Sequence, residues 1–256
     1  MRIGLALSGG GSRGSFHIGV LAAFDELKIE PCIISGTSAG ALVGSLYAAG
    51  VKPLQILEVA NNVKWYNLLT TSFAKDGITN LGFLENLLNR YIPENEFKYL
   101  KIPFLVTATN MNSGALEIFE KGEVHKPIMA SCSVPVLFRP VSMNGSKYLD
   151  GGIVMNLPVS PLIDRCDMII ASNLFPLVPR SDDDLSSFGN IMTRVLEVTI
   201  SNNTNVEKLK ADILIESELI NKYNRFELSF SNELYELGYK ATMDALKSST
   251  VIPKTK

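Results

Sequence analysis

Apolar and polar positions along the first fifty residues set out the same unit twice. Ile3 to Leu7 is a short apolar run, Ser8 to Gly14 is rich in glycine, and Ile18, Leu21, Ala22 and Leu27 then recur on one side of a helical period. The pattern predicts strand, glycine loop and helix. Cys32 to Ser35 is a second short run, Gly36 to Gly40 a tight turn, and Ala41 to Ala49 a small-residue helix closed by Gly50. Farther on, Pro53 to Asn62 and Gly82 to Tyr91 read as helices, and Phe104 to Asn110 as a buried strand. Asn112-Ser113-Gly114 then turns the chain into a strand at Leu116 to Phe119. Met168 to Asn173 is another buried strand, Leu174 to Leu185 a loop with solvated charges, and Phe188 to Ile200 and Asn232 to Leu246 are amphipathic helices. Alternating strands and helices imply an α/β fold with a mainly parallel sheet. With no internal repeat or linker, residues 1–256 are read as a single domain.

Composition narrows the function classes. The 256 residues carry 24 Lys plus Arg against 26 Asp plus Glu, a net charge of -2, with no basic run. Nucleic acid is therefore not an expected partner, and long-range attraction to acidic membranes is not expected either. Three cysteines, Cys32, Cys132 and Cys166, lack metal-ligand spacing and read as reduced thiols, which favours a cytoplasmic location. The five residues before Ser8 fall short of the roughly 7 to 15 apolar residues of a signal peptide. The longest apolar stretch, Ile33 to Ala49, is broken by Gly36, Gly40 and Gly44, so any contact with lipid is expected to be peripheral.

The glycines carry the chemistry. Gly9, Gly11 and Gly14 satisfy G-x-G-x-x-G between strand and helix, the context of a dinucleotide site. Such a site also needs an acidic residue at the end of the second strand, where this chain has Ser35-Gly36-Thr37-Ser38. A phosphate P-loop fails because Ser15 and Phe16 stand where Lys and Ser or Thr are required. What remains is a loop exposing backbone N–H groups beside a helix start, suited to an anion, or a tight turn that merely lets helix and strand pack.

Gly36-Thr37-Ser38-Ala39-Gly40 matches G-x-S-x-G at a strand-to-helix turn, the elbow that exposes a serine, although Ser38 as a simple helix N-cap fits the same position. A serine nucleophile needs a base. His17 and His125 are the only histidines, and each reads more readily as a packing or surface residue than as a base. Asp150-Gly151-Gly152 offers a carboxylate instead, or a plain hairpin turn.

Taken together these residues resemble the patatin-like phospholipase family. The resemblance rests on Gly9-Gly10-Gly11-Ser12-Arg13-Gly14, Gly36-Thr37-Ser38-Ala39-Gly40, Ala130-Ser131-Cys132-Ser133-Val134-Pro135 and Asp150-Gly151-Gly152, with Asn156 and Pro158 following, in that order. It implies a three-layer α/β/α sandwich and a Ser-Asp dyad carried over to Ser38 and Asp150. In that reading Gly9, Gly10, Gly11 and Arg13 form the oxyanion loop. The implied activity is acyl-ester hydrolysis of a lipid through an acyl-enzyme, with no metal or organic cofactor. An acyltransferase with the same dyad and a non-catalytic lipid-binding module are the alternatives. Substrate class and oligomeric state stay open. Trp65 to Phe73, which holds the only tryptophan, is a candidate lid over an acyl chain.

Overall fold

A computed structural model of the chain describes residues 1–62, 81–135, 137–225, 227 and 229–248. The candidate lid lies outside them. Strands β1 (Ile3–Leu7), β2 (Pro31–Gly36), β3 (Phe104–Asn110), β4 (Leu116–Phe119), β5 (Val141–Met143), β6 (Ser146–Asp150), β7 (Met168–Ser172) and β8 (Ile213–Ile215) form one mixed sheet. Pairs β1–β2, β1–β7, β2–β3 and β7–β8 are parallel, whereas β4 and β6 both run antiparallel to β3, and β5 antiparallel to β6. The expected α/β class holds, with the antiparallel strands gathered at one end.

One detail of register positions the site. Val106 pairs with Gly36 of β2 and with Phe119 of β4, so β2 and β4 hold opposite edges of β3. Ala108 pairs with Glu117 of β4 and with Asp150 of β6, so β6 occupies the edge that β2 has just vacated. The two strands meet end to end along β3. Their last residues are two β3 positions apart, roughly 7 Å.

Helices α1 (Ser15–Glu26), α2 (Ala39–Ala48), α3 (Pro53–Asn62), α4 (Gly82–Tyr91), α5 (His125–Ser131), α6 (Phe188–Lys208) and α7 (Ser231–Ser248) complete the described elements. The main core lies between the sheet and a layer that includes α1, α2 and α7, with Phe16, Ile18, Leu21 and Phe24 of α1 buried against Leu5, Leu7 and Ile34. A smaller cluster around Ile33, Leu157, Val159 and Ile169 packs on the other side groups of the same strands. Alternate β1 residues serve the two clusters, as a strand covered on both faces requires.

Helix α6 departs from expectation in length and in facing. It runs eight residues beyond Ile200, capped at its start by Ser187, whose hydroxyl accepts the Asn190 N–H. Its buried side is polar, with Glu197, Ser201, Thr204 and Glu207, while Phe188, Ile191, Met192 and Val195 are exposed. An apolar-inward period therefore does not describe it. The loop before it keeps its charges exposed, as expected, and its Arg180 also donates to the buried Glu197 at 3.2 Å. No helix among the described residues is long and apolar enough to cross a membrane.

Candidate functional site

The elbow between β2 and α2 is built by close approach. A Cβ on Gly36 would fall 2.5 Å from the Gly40 carbonyl oxygen, and one on Gly40 would collide with the Leu7 carbonyl oxygen of β1. Ser38 between them sits at φ 52° and ψ -120°, a left-handed backbone that costs a residue with a side chain about 1–3 kcal/mol. It occupies the N-cap position of α2, yet its side chain makes no capping hydrogen bond. The capping alternative is thereby set aside, and the hydroxyl is left for other work. Its backbone is held by Ser131, whose Oγ accepts the Ser38 N–H at 2.8 Å, and by the Cys132 thiol, which donates to the Ser38 carbonyl oxygen at 3.4 Å.

Asp150 arrives from the other direction. It ends β6 opposite Ala108 and is followed by a 3-10 turn, Gly151–Ile153, so it is not the corner of a hairpin. Thr107, between the β3 residues that pair with Gly36 and Asp150, shares a 2.6 Å hydrogen bond with the Thr37 hydroxyl. A side chain on Gly151 would collide with the same threonine. The Asp150 carboxyl is buried, and burial pushes it up from 3.8 to about 6; the Ser38 hydroxyl and the Gly152 N–H, 2.8 Å from Oδ1, draw it back toward the ionised form. The structure thus brings the side chains of Ser38 and Asp150 together. Cys132 lies close by, but burial and then the Asp150 charge raise its thiol, so it stays protonated.

The four residues expected in the oxyanion loop divide into two groups. Gly10 and Gly11 begin the short turn Gly11–Gly14, and their N–H groups have no protein acceptor among the described residues. Gly9 differs: its N–H donates to the Asn156 carbonyl oxygen at 3.0 Å, so it is not free for a substrate oxygen. The requirement for glycine there is spatial, since a Cβ would lie 3.1 Å from that of Ser38. Arg13 is also turned away. Its guanidinium donates to the Tyr223 carbonyl oxygen at 3.0 and 2.9 Å and to that of Leu174 at 3.3 Å. Burial, and next the nearby Arg225, lower it to about 10, which leaves it charged at neutral pH. Arg13 ties the loop in place instead of facing the site.

Neither histidine reaches the serine. His17 is fully buried, with Nδ1 2.9 Å from Ser172 Oγ and Nε2 2.9 Å from the Ser8 carbonyl oxygen, and burial lowers it to about 4 against the pull of that carbonyl. His125 starts α5 and holds the Ile92 carbonyl oxygen at 2.8 Å. Both are packing residues. Among the described residues no group of three or more His, Cys, Asp or Glu side chains could hold a metal ion.

Support from α6 had no signal in the sequence. Asn203 accepts the Asn156 N–H at 2.9 Å and donates to the Gly152 carbonyl oxygen at 2.9 Å, and Thr204 meets the Asn156 amide at 3.2 Å. Arg180, Arg194 and Arg225 converge on Glu197 of the same helix, and Arg225 accepts the Ser12 N–H on its carbonyl oxygen at 2.9 Å. One helix thus braces both the aspartate turn and the glycine loop. Partners about 50 residues away along the chain leave no local pattern.

Comparison with known proteins places this arrangement. The family model of patatin-like phospholipases matches residues 5–163. The chain belongs to the patatin-like phospholipase family. Lysophospholipase NTE1 of Cryptococcus neoformans is 33% identical over 175 residues, 63% of this chain and 10% of that protein. Lysophospholipase NTE1 of Saccharomyces cerevisiae is 32% identical over 206 residues, 75% of this chain and 12% of that protein. The chain therefore spans only about a tenth of the length of these relatives. Among solved structures, VipD from Legionella pneumophila superposes with a TM-score of 0.63 at 18% identity, covering 96% of this chain and 67% of that one. The type III effector protein ExoU gives 0.53 at 16% identity, covering 96% of this chain and 53% of that one. Both share the fold, a three-layer α/β arrangement. In this patatin-like phospholipase family member the motifs touch one another, with Ser131 and Cys132 holding the backbone of Ser38 and Asn156 accepting from Gly9.

Proposed function

We propose that this patatin-like chain is a serine acyl-ester hydrolase acting on lipids, with Ser38 as nucleophile and Asp150 as its base. The observation that carries this reading is a serine hydroxyl, on a strained turn and free of capping, that faces a buried carboxyl while both histidines are committed elsewhere. Ser38 Oγ attacks the ester carbonyl and its proton passes to Asp150. The tetrahedral oxyanion is met by the N–H groups of Gly10 and Gly11, and collapse releases the alcohol, to which Asp150 returns the proton. Water, deprotonated by the same carboxylate, then releases the fatty acid. Fixed donors of this kind are worth about a hundredfold or more each in rate. The family match and the lysophospholipase names of the relatives support a lipid ester as substrate. We further read residues 1–256 as one hydrolase domain, cytoplasmic and meeting lipid at a membrane periphery.

An aspartate with its ordinary value is a feeble base, and burial raises this one toward the working range. Only the ionised form accepts the serine proton, so kcat/KM should rise with pH, reach half its maximum near pH 6 and stay level above. A profile flat across that region would remove Asp150 from the proton transfer.

The direct test is a fluorophosphonate probe followed by intact-mass analysis and sequencing of the labelled peptide. One adduct on Ser38 is expected. A folded protein that takes no label, or takes it elsewhere, refutes the reading.

A further inference from the structure

Arg139 stands out among the arginines of the described residues. Arg2 meets Asp167, Arg165 meets Glu120, Arg90 lies over the Tyr91 ring, Arg13 holds backbone carbonyls, and Arg180, Arg194 and Arg225 share Glu197. Among the described residues Arg139 has no hydrogen bond or ion pair, and its Nε is buried without a partner. A buried donor with nothing to bind costs free energy that most folds avoid. The residue as a whole is half-buried.

Its location makes the missing acceptor informative. Residues 133–135 and 137–140 lie between α5 and β5, and the chain is fastened to β6 at either end of them. Ser133 accepts the Asp150 N–H on its carbonyl oxygen at 3.0 Å, and Val141, just after the loop, pairs with Tyr148. Arg139 is the second residue before Val141, on the stretch that leads from the residues holding Ser38 into the strand paired with β6. The loop begins where Ser131 and Cys132 hold the backbone of Ser38. Yet the guanidinium is not spent on the Asp150 carboxylate, with which it forms no ion pair; the groups acting on that carboxyl are Ser38 and Gly152.

We propose that Arg139 is a specificity-determining residue that binds the phosphate of a phospholipid or lysophospholipid while its ester lies over Ser38. This rests on the hydrolase reading above. A planar guanidinium presents paired N–H donors that match two phosphate oxygens, and a phosphate lies only a few bonds from the scissile carbonyl of a glycerophospholipid. Bound substrate supplies the acceptor that Nε and its neighbours lack. A neutral ester does not.

The test compares kcat/KM for palmitoyl lysophosphatidylcholine and for monopalmitoylglycerol in wild type, Arg139→Gln and Arg139→Lys. The ratio of the two values should fall about ten- to a hundredfold in the glutamine variant, mainly through KM for the phosphate ester, with partial recovery in the lysine variant. Fluorophosphonate labelling of Ser38 in each variant reports whether the hydrolytic centre is intact. Labelled variants with an unchanged ratio, or with equal losses on both substrates, overturn the role of Arg139 and leave the hydrolase standing. Relief of inhibition by added palmitate at an unchanged ratio would assign the arginine to the product carboxylate and overturn the phosphate proposal. A wild type that neither labels nor hydrolyses either ester overturns both.

Discussion

Ser38→Ala is expected to lower ester turnover about a thousandfold or more while leaving the protein folded. The loss should be this large because no neighbour can replace the hydroxyl. A neighbouring nucleophile, the Cys132 thiol, is buried, kept protonated and hydrogen-bonded to the Ser38 carbonyl oxygen. His17 and His125 are held by partners away from the site. The fold should survive because the serine side chain caps nothing and the elbow is held through its backbone, by Ser131 and by the close contact of Gly40 with β1. Alanine suffers the same left-handed strain that serine already does. Steady-state kinetics on a soluble ester, with Tm by circular dichroism, checks both halves. A folded variant that retains a tenth of wild-type turnover would place the nucleophile elsewhere.

Asp150→Asn should cost a comparable factor in turnover and yet make the protein more stable. The amide oxygen can still accept the Gly152 N–H, so the local turn is retained, but an amide cannot take the serine proton. The stability gain follows from burial. The carboxyl stands at 3.8 when exposed and about 6 in the folded protein, so between these values the native state binds more protons than the unfolded one. Stability therefore falls as pH rises through that window. Above it the ionised group burdens the native state by about 3 kcal/mol. Asparagine removes the charge, and each kcal/mol recovered should raise Tm by about 2–4 °C for a chain of this size. The difference from wild type should be greatest near neutral pH and shrink toward pH 4. A lower Tm for the variant at neutral pH would mean that the carboxylate is net stabilising, and its elevated value would then be wrong. A site residue that weakens the fold it sits in is a common bargain of active sites.

The opening motifs were legible because each is a local demand on the backbone. Gly36 and Gly40 are glycine because a Cβ would strike the main chain of a neighbouring turn or strand, and such a constraint is written in five consecutive residues. The strands from Ile3, Cys32, Phe104 and Met168 were legible for a related reason: buried strands leave uninterrupted apolar runs. Helix α6 was only partly legible. Its inward face serves polar partners, the Asn156 turn and the arginines on Glu197, so the apolar residues of its first half face outward and its polar second half carries no hydrophobic period. Gly9 and Arg13 were placed in the oxyanion loop by motif, and their hydrogen bonds to Asn156, Tyr223 and Leu174 show that they hold the loop, while the N–H groups of Gly10 and Gly11 have no acceptor among the described residues.

By itself, then, the sequence determined the α/β class, the strained elbow and the residue types of the candidate site, because short-range sterics and periodicity act between near neighbours. The resemblance named Asp150 beside Ser38, but that its carboxyl reaches the serine, and which glycine amides and which arginine lack a protein partner among the described residues, were decided by the tertiary structure. Those outcomes depend on β6 taking over the edge of β3 that β2 leaves, and on α6 folding back over both turns. Long-range pairing and burial create the proton affinity of Asp150, and neither is a property of any local stretch of chain.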